Sequence, residues 1–298
     1  MVLAESFYVN EDKEKAIEFY EKALLYNGEE KETLIILFNL AIIFEELDRL
    51  DESIKTYRRI IKLNPVNYEA YCNMALVEEG RENMDAALIY YNSAIEINPN
   101  YTEAYYNIAT LYDEAGNKDK ALEYFFKVVD IDPHNYITYN NIGSLYEEAG
   151  DYELAFQMIK KSIELNDEFY KSLFNMGVVY NRFENHKMAI EFYNKAKEQN
   201  PNYHYTFLNL SAIYIEEELY EESIEILTEG IENNPEAYEL YYNRACSNSI
   251  LKHIEDALVD IEKSIALYPG IIKWVSKDKD FKNLYDNFVF NKILEDNL

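Results

Sequence analysis

Short apolar stripes alternate with polar stretches along the chain, and the stripes follow helical spacing. In the segment ending at Pro133, one stripe is Tyr105, Ile108, Ala109 and Tyr112; the next is Ala121, Leu122, Phe125, Val128 and Val129. Steps of three and four residues place such side chains on one face of an α-helix, turned toward a core. Gly116, Asn117 and Lys118 make the turn between the stripes. Pro133 ends the second helix, because proline has no N–H to donate and its ring clashes with the preceding turn. The pattern predicts paired helices of about 13 residues, each roughly 20 Å long. A lone pair of this kind cannot bury its apolar faces, whereas stacked copies can.

The copies are present. The six prolines, Pro65, Pro99, Pro133, Pro201, Pro235 and Pro269, are separated by 34, 34, 68, 34 and 34 residues. The double gap skips one lattice point, occupied by Asp167. Small residues stand twelve before each point: Ser53, Ala87, Ala121, Ala155, Ala189, Ser223 and Ala257. A second small set stands 24 before: Ala41, Ala75, Ala109, Gly143, Gly177, Ser211 and Ala245. Aromatics recur between them, as Phe44, Tyr112, Tyr146, Tyr180 and Tyr214, and as Tyr57, Tyr91, Phe125 and Tyr193. Small residues let two helices approach, and aromatics fill the space beside them.

These residues resemble the signature of the tetratricopeptide repeat family. The resemblance implies an all-α fold: an α-solenoid, wound as a right-handed superhelix, of tandem 34-residue helix–turn–helix units with helices A and B in each. Seven units are expected over residues 33–270. Residues 1–32, with Leu3, Ala4, Phe7, Ala16, Tyr20 and Ala23, read as a truncated unit. The step from Ala16 to Ser53 is 37 residues, which places three extra residues in the Asn27-to-Lys31 linker. Residues 271–298 leave the lattice, and Trp274, Phe281, Leu284, Phe288, Phe290 and Leu294 predict one or two capping helices with Trp274 partly buried. Two departures matter. Asp167 for proline and Ser162 for alanine predict a looser join there. Arg244 takes a position that is apolar in the other units, with its stem packed and its head expected to reach the inner groove.

In the resembling family helix A lines a concave surface. One column of that surface is uniform: Asn39, Asn73, Asn107, Asn141, Asn175, Asn209 and Asn243. Asparagine is a poor choice inside a helix, since its side chain competes for backbone hydrogen bonds. Two roles fit. An amide both donates and accepts, so it can hold the main chain of an extended peptide. With helices about 10 Å apart and a strand rising about 3.3 Å per residue, one asparagine meets every third ligand residue or so. The other role is a bond to a neighbouring helix. Carbon-rich neighbours, among them Ile35, Phe38, Leu76, Tyr106, Ile137, Phe174, Val178, Tyr205, Leu208 and Tyr242, would set preference or pack between units.

Charge narrows the ligand. Lys and Arg total 28 against 56 Asp and Glu, a net charge of −28. Such a balance repels nucleic-acid phosphates and anionic membranes and favours basic proteins or peptides. Acids including Glu45, Glu46, Glu69, Glu79, Glu103, Asp113 and Glu114 edge the first half of the inner surface, while Lys171 and Arg182 in the second half suit an acidic group. The lysine and arginine cluster of a carboxylate clamp is missing from every adjacent pair of units.

Two distant cysteines, Cys72 and Cys246, and four scattered histidines offer neither a disulfide framework nor metal-ligand spacing. Phosphate-binding and nucleophile-elbow motifs are also missing. No cofactor or metal is expected, nor an enzyme. The first residues do not read as a signal peptide, and the apolar run Thr33 to Phe44 is too short to span a bilayer. The sequence therefore points to a cytoplasmic module that binds a protein or peptide ligand. A scaffold that forms homo-oligomers through its ends or convex face stays open beside it.

Overall fold

The computed structural model describes residues 1–26 and 29–297. Among the described residues there are 18 α-helices and no strand. The first pair is α1 (Val2–Val9) and α2 (Lys13–Tyr26). Seven further pairs follow: α3 (Glu30–Glu46) with α4 (Leu50–Leu63), α5 (Tyr68–Gly80) with α6 (Met84–Ile97), and α7 (Thr102–Glu114) with α8 (Lys118–Ile131). They continue with α9 (Tyr136–Glu148) and α10 (Tyr152–Leu165), α11 (Tyr170–Arg182) and α12 (His186–Gln199), α13 (Tyr205–Glu216) and α14 (Tyr220–Asn233), and α15 (Tyr238–Ile250) and α16 (Ile254–Leu267). The short α17 (Ile272–Val275) and the terminal α18 (Phe288–Asn297) complete the chain. The fold is thus an all-α solenoid of tandem helix pairs. It divides into two compact units, Met1–His134 and Asn135–Leu298.

The small-residue columns explain the pairing. Ser53, Ala87, Ala121, Ala155, Ala189, Ser223 and Ala257 are all 0% exposed, and the second small column is buried throughout. Tyr57, Tyr91, Phe125 and Tyr193 fill the adjoining space and are also fully buried. At Gly143 and Gly177 the contact is tightest: a Cβ there would lie 2.5 Å from Ile159 or 2.6 Å from the Tyr193 ring. Each junction between pairs is extended at the residue before the proline, as at Asp132 with φ −121° and ψ 88°, because proline disfavours helical backbone in its predecessor. Asn166 is extended too, at φ −150° and ψ 101°, although Asp167 follows it.

The turn inside each pair has its own rule. Asp48, Glu82, Gly116, Gly150, Glu184, Glu218 and Lys252 all have positive φ, and they are 34 residues apart. Only two are glycine, the residue that adopts this conformation without a Cβ penalty.

Three expectations are corrected. The join at Asp167 is not loose: the Ser162 hydroxyl donates to the Tyr136 carbonyl at 2.7 Å and lies 2.6 Å from the Ser172 hydroxyl, which donates to Asn140 at 3.1 Å. Serine in place of alanine adds a buried polar network across that joint. Trp274 is 70% exposed. One turn of α17 aims Ile272 and Val275, three residues apart, into the core, so Trp274 faces away from it. Glu30 and Lys31, assigned to the linker, form the first turn of α3; Asn27 and Gly28 lie outside the described residues.

Two substitutions test these contacts by urea unfolding. Gly177→Ala is expected to cost about 1–3 kcal/mol by forcing a methyl against Tyr193. Glu184→Gly is expected to raise stability by up to about 1 kcal/mol by relieving the left-handed backbone.

Candidate functional site

Every asparagine of the column lies on a first helix of a pair, and all seven are half-buried. Their bonds repeat as their positions do. Asn39 donates to the Tyr20 hydroxyl at 3.0 Å, and Asn209 accepts from the Tyr193 hydroxyl at 3.5 Å. In both cases the partner belongs to the second helix of the preceding pair. Asn107 donates to the Cys72 sulfur at 3.9 Å, and Asn175 donates to Asn140 at 3.0 Å. In both of these the partner stands 35 residues earlier, on the preceding first helix. Asn209 also donates to the Tyr205 carbonyl at 2.9 Å. The role of tying neighbouring helices is therefore present at Asn39, Asn107, Asn175 and Asn209. The first unit carries Asn39, Asn73 and Asn107; the second carries Asn141, Asn175, Asn209 and Asn243.

The apolar neighbours divide. Ile35, Leu76, Ile137 and Tyr205 are exposed. Phe174 instead packs its ring on Tyr193 and Tyr203, with centroids 5.5 and 5.1 Å away. Tyr106 lies edge-on to Phe125 at 5.5 Å. Tyr242 donates its hydroxyl to Asp278, in the segment that follows α17. Burial and that carboxylate both push the Tyr242 phenol well above its ordinary pKa.

Most of the edge acids already have partners. Glu46 accepts from Tyr8 at 2.6 Å and pairs with Lys13 at 3.1 Å. Glu45 accepts from Ser53 at 2.9 Å, Glu79 from Tyr91 at 2.8 Å and Glu103 from Tyr101 at 2.5 Å. The Arg182 guanidinium is bound to Glu147 at 2.9 Å, whereas Lys171 is exposed. Sequence spacing places these groups on one face, but it does not reveal which tyrosine or serine reaches them: Ser53 and Tyr91 do so from second helices, Tyr8 from α1 and Tyr101 from the residue before α7.

Arg244 corrects a further expectation. Its guanidinium does not reach the inner face. It makes two bonds to Asp260 of α16, at 2.9 and 2.7 Å, and one to Thr228 of α14 at 2.9 Å. Its position points between second helices, where the other units place an apolar side chain, and a polar partner is found there. Burial holds the Asp260 carboxyl above the usual range even against the arginine.

Both thiols are buried, and burial pushes Cys72 up to about 12 and Cys246 higher still. Neither is a ready nucleophile, which needs a thiolate. The ligand atoms of Cys246, Asp278 and Asp280 lie within 4.8 Å of one another, a convergence across the C-terminal segment that sequence spacing could not foresee. No described helix is long and apolar enough to cross a membrane.

Tetratricopeptide repeat models match residues 38–102, 102–135, 135–202 and 204–236. The chain belongs to the tetratricopeptide repeat family. Comparison with the curated proteins gave no match. Among solved structures, a tetratricopeptide repeat protein from Parabacteroides merdae is 18% identical over 89% of this chain and 98% of its own, with a TM-score of 0.61. The pilF protein of Pseudomonas aeruginosa is 18% identical over 73% of this chain and 96% of its own, at 0.59. The Cut9–Hcn1 hetero-tetramer of the APC/C covers 99% of this chain with 54% of its own, at 15% identity and 0.59. At these identities the likeness is one of fold. Tetratricopeptide repeat proteins generally mediate protein–protein interactions, and the fold is generally a non-catalytic scaffold.

The ion pair generates a stability prediction. Arg244→Ala leaves Asp260, 3% exposed, without its counter-charge, and is expected to cost about 3 kcal/mol or more. Adding Asp260→Asn should recover a good part of that loss in a thermal melt.

Proposed function

We propose that the chain is a protein-interaction module that holds an extended peptide or protein segment against its first helices, with the asparagine column as main-chain clamp. The observation that carries this reading is the constancy of the column: seven asparagines at one lattice position, each half-buried. A primary amide has two N–H groups and an oxygen with two lone pairs. One bond inside the stack, as at Asn39, Asn107 and Asn175, orients the amide and leaves capacity for a ligand. The inward bonds and the ligand bonds are then complementary: the first pre-organise the second. Exposed Ile35, Leu76, Ile137 and Tyr205 supply apolar contact beside the column, and exposed Lys171 is suited to an acidic ligand group. The acidic balance favours ligands with basic segments.

A scaffold role is the second reading. Trp274, 70% exposed, and Phe288, 80% exposed, favour self-association through the C-terminal helices. Light scattering separates the two readings: a single-chain mass at high concentration removes the second.

The clamp is tested with a phage-displayed library of random 12-residue peptides. Peptides enriched on the native chain are then titrated against the Asn141→Ala/Asn175→Ala/Asn209→Ala variant, whose three positions lie in the second unit. The expected result is an affinity loss of about tenfold or more with unchanged helical circular dichroism, since each lost bond is worth roughly 1 kcal/mol. Unchanged affinity discards the clamp.

A further inference from the structure

The first unit contains a cavity of about 240 Å³. Its walls are Glu5, Tyr8 and Val9 from α1, Tyr20 from α2, and Asn39, Ile42 and Ile43 from α3. The lining is mostly carbon: Val9 is 78% exposed and Ile42 40% exposed, so two aliphatic side chains stand at the opening without covering it. At the inner end the Asn39 amide donates to the Tyr20 hydroxyl, so the first member of the asparagine column borders this notch. The charge is one-sided. Glu46, beside Tyr8, is already neutralised by Lys13 at 3.1 Å, which leaves the Glu5 carboxylate as the charge on the wall. Glu5 acts on the interior, since it adds to burial in raising the Tyr20 phenol above its ordinary pKa.

We infer that this notch takes one large aliphatic side chain of an extended peptide, flanked by lysine or arginine. The inference rests on the first-helix face being the peptide surface, and it names where along that face a side chain is read. Three features select the occupant. A concave apolar lining gains from enclosing one apolar side chain. A single carboxylate on the wall favours a neighbouring cation and repels an acid. Asn39 at the inner end offers its amide oxygen, which can accept from the ligand's main-chain N–H and set the peptide's register.

The test uses three fluorescein-labelled ten-residue peptides with Gly and Ser ends and the centres Lys-Leu-Lys, Lys-Ala-Lys and Glu-Leu-Glu, read by anisotropy against the full chain. The Lys-Leu-Lys peptide should bind about tenfold or more tighter than Lys-Ala-Lys, the effect of burying a leucine. It should also bind more tightly than Glu-Leu-Glu, by a margin that shrinks in 0.5 M salt. Glu5→Lys, a surface change, should invert the charge preference, and Ile42→Ala should weaken the leucine peptide. Equal binding of leucine and alanine peptides, or no binding of Lys-Leu-Lys at all, overturns the notch. So does a charge preference that Glu5→Lys does not move. Concentration-dependent dimers that compete with the leucine peptide and vanish in Phe288→Ser make the occupant a second copy, and the inference falls. The asparagine triple variant keeps the two claims apart. If the library-derived peptides need the three amides but ignore Ile42→Ala and Glu5→Lys, the clamp stands and the notch is refuted.

Discussion

A helix pair of this length has more apolar surface than it can cover alone, and the rest of the molecule follows from that shortage. Each pair must lie on the next, and the approach is permitted only where side chains are small. The two buried columns of alanine, serine and glycine mark those contacts, and at Gly143 and Gly177 even a methyl group would press into Ile159 or Tyr193. Because the contact repeats, so does everything rigidly attached to it: the left-handed residue at each turn, the extended residue at each junction, and the half-burial of each asparagine.

That repetition links packing to recognition. An asparagine inside a helix is a local cost, yet it recurs at one place in seven successive pairs. Part of the compensation is internal. Amides at Asn39, Asn107, Asn175 and Asn209 bond the preceding pair through a tyrosine hydroxyl, a thiol, another amide and a tyrosine hydroxyl in turn. Three of those amides, Asn39, Asn107 and Asn209, face the tyrosine at one place of the preceding second helix, Tyr20, Tyr91 and Tyr193. The internal bond thus accounts for part of the column, and the proposed clamp draws on the hydrogen-bonding capacity each amide has left.

What the sequence revealed was whatever the period repeats. The 34-residue spacing of Pro65, Pro99 and Pro133 located the helix pairs, and the small residues located their contacts. What it concealed were contacts made once. Arg244 looked inward until Asp260 and Thr228 appeared between α14 and α16. Trp274 looked like a capping residue, but a single turn of helix has room for only one inward face, taken by Ile272 and Val275. Arg182 looked ready for an acidic ligand group, while Glu147 on the preceding pair already binds it. The N-terminal notch was hidden for the same reason, since Glu5, Tyr8 and Val9 are not the residues that the later units carry at those places. Periodicity reports what neighbours share, and these partners are not shared.

The account's central claim is that the first-helix face, not the second-helix face, meets the ligand. A photoreactive benzoyl-phenylalanine placed in turn at Leu76 of α5 and Ile89 of α6 tests it directly, since both positions are exposed and neither supports the core. After irradiation with a library-selected peptide, the account predicts a cross-link from Leu76 and none from Ile89. A cross-link from Ile89 alone would contradict it.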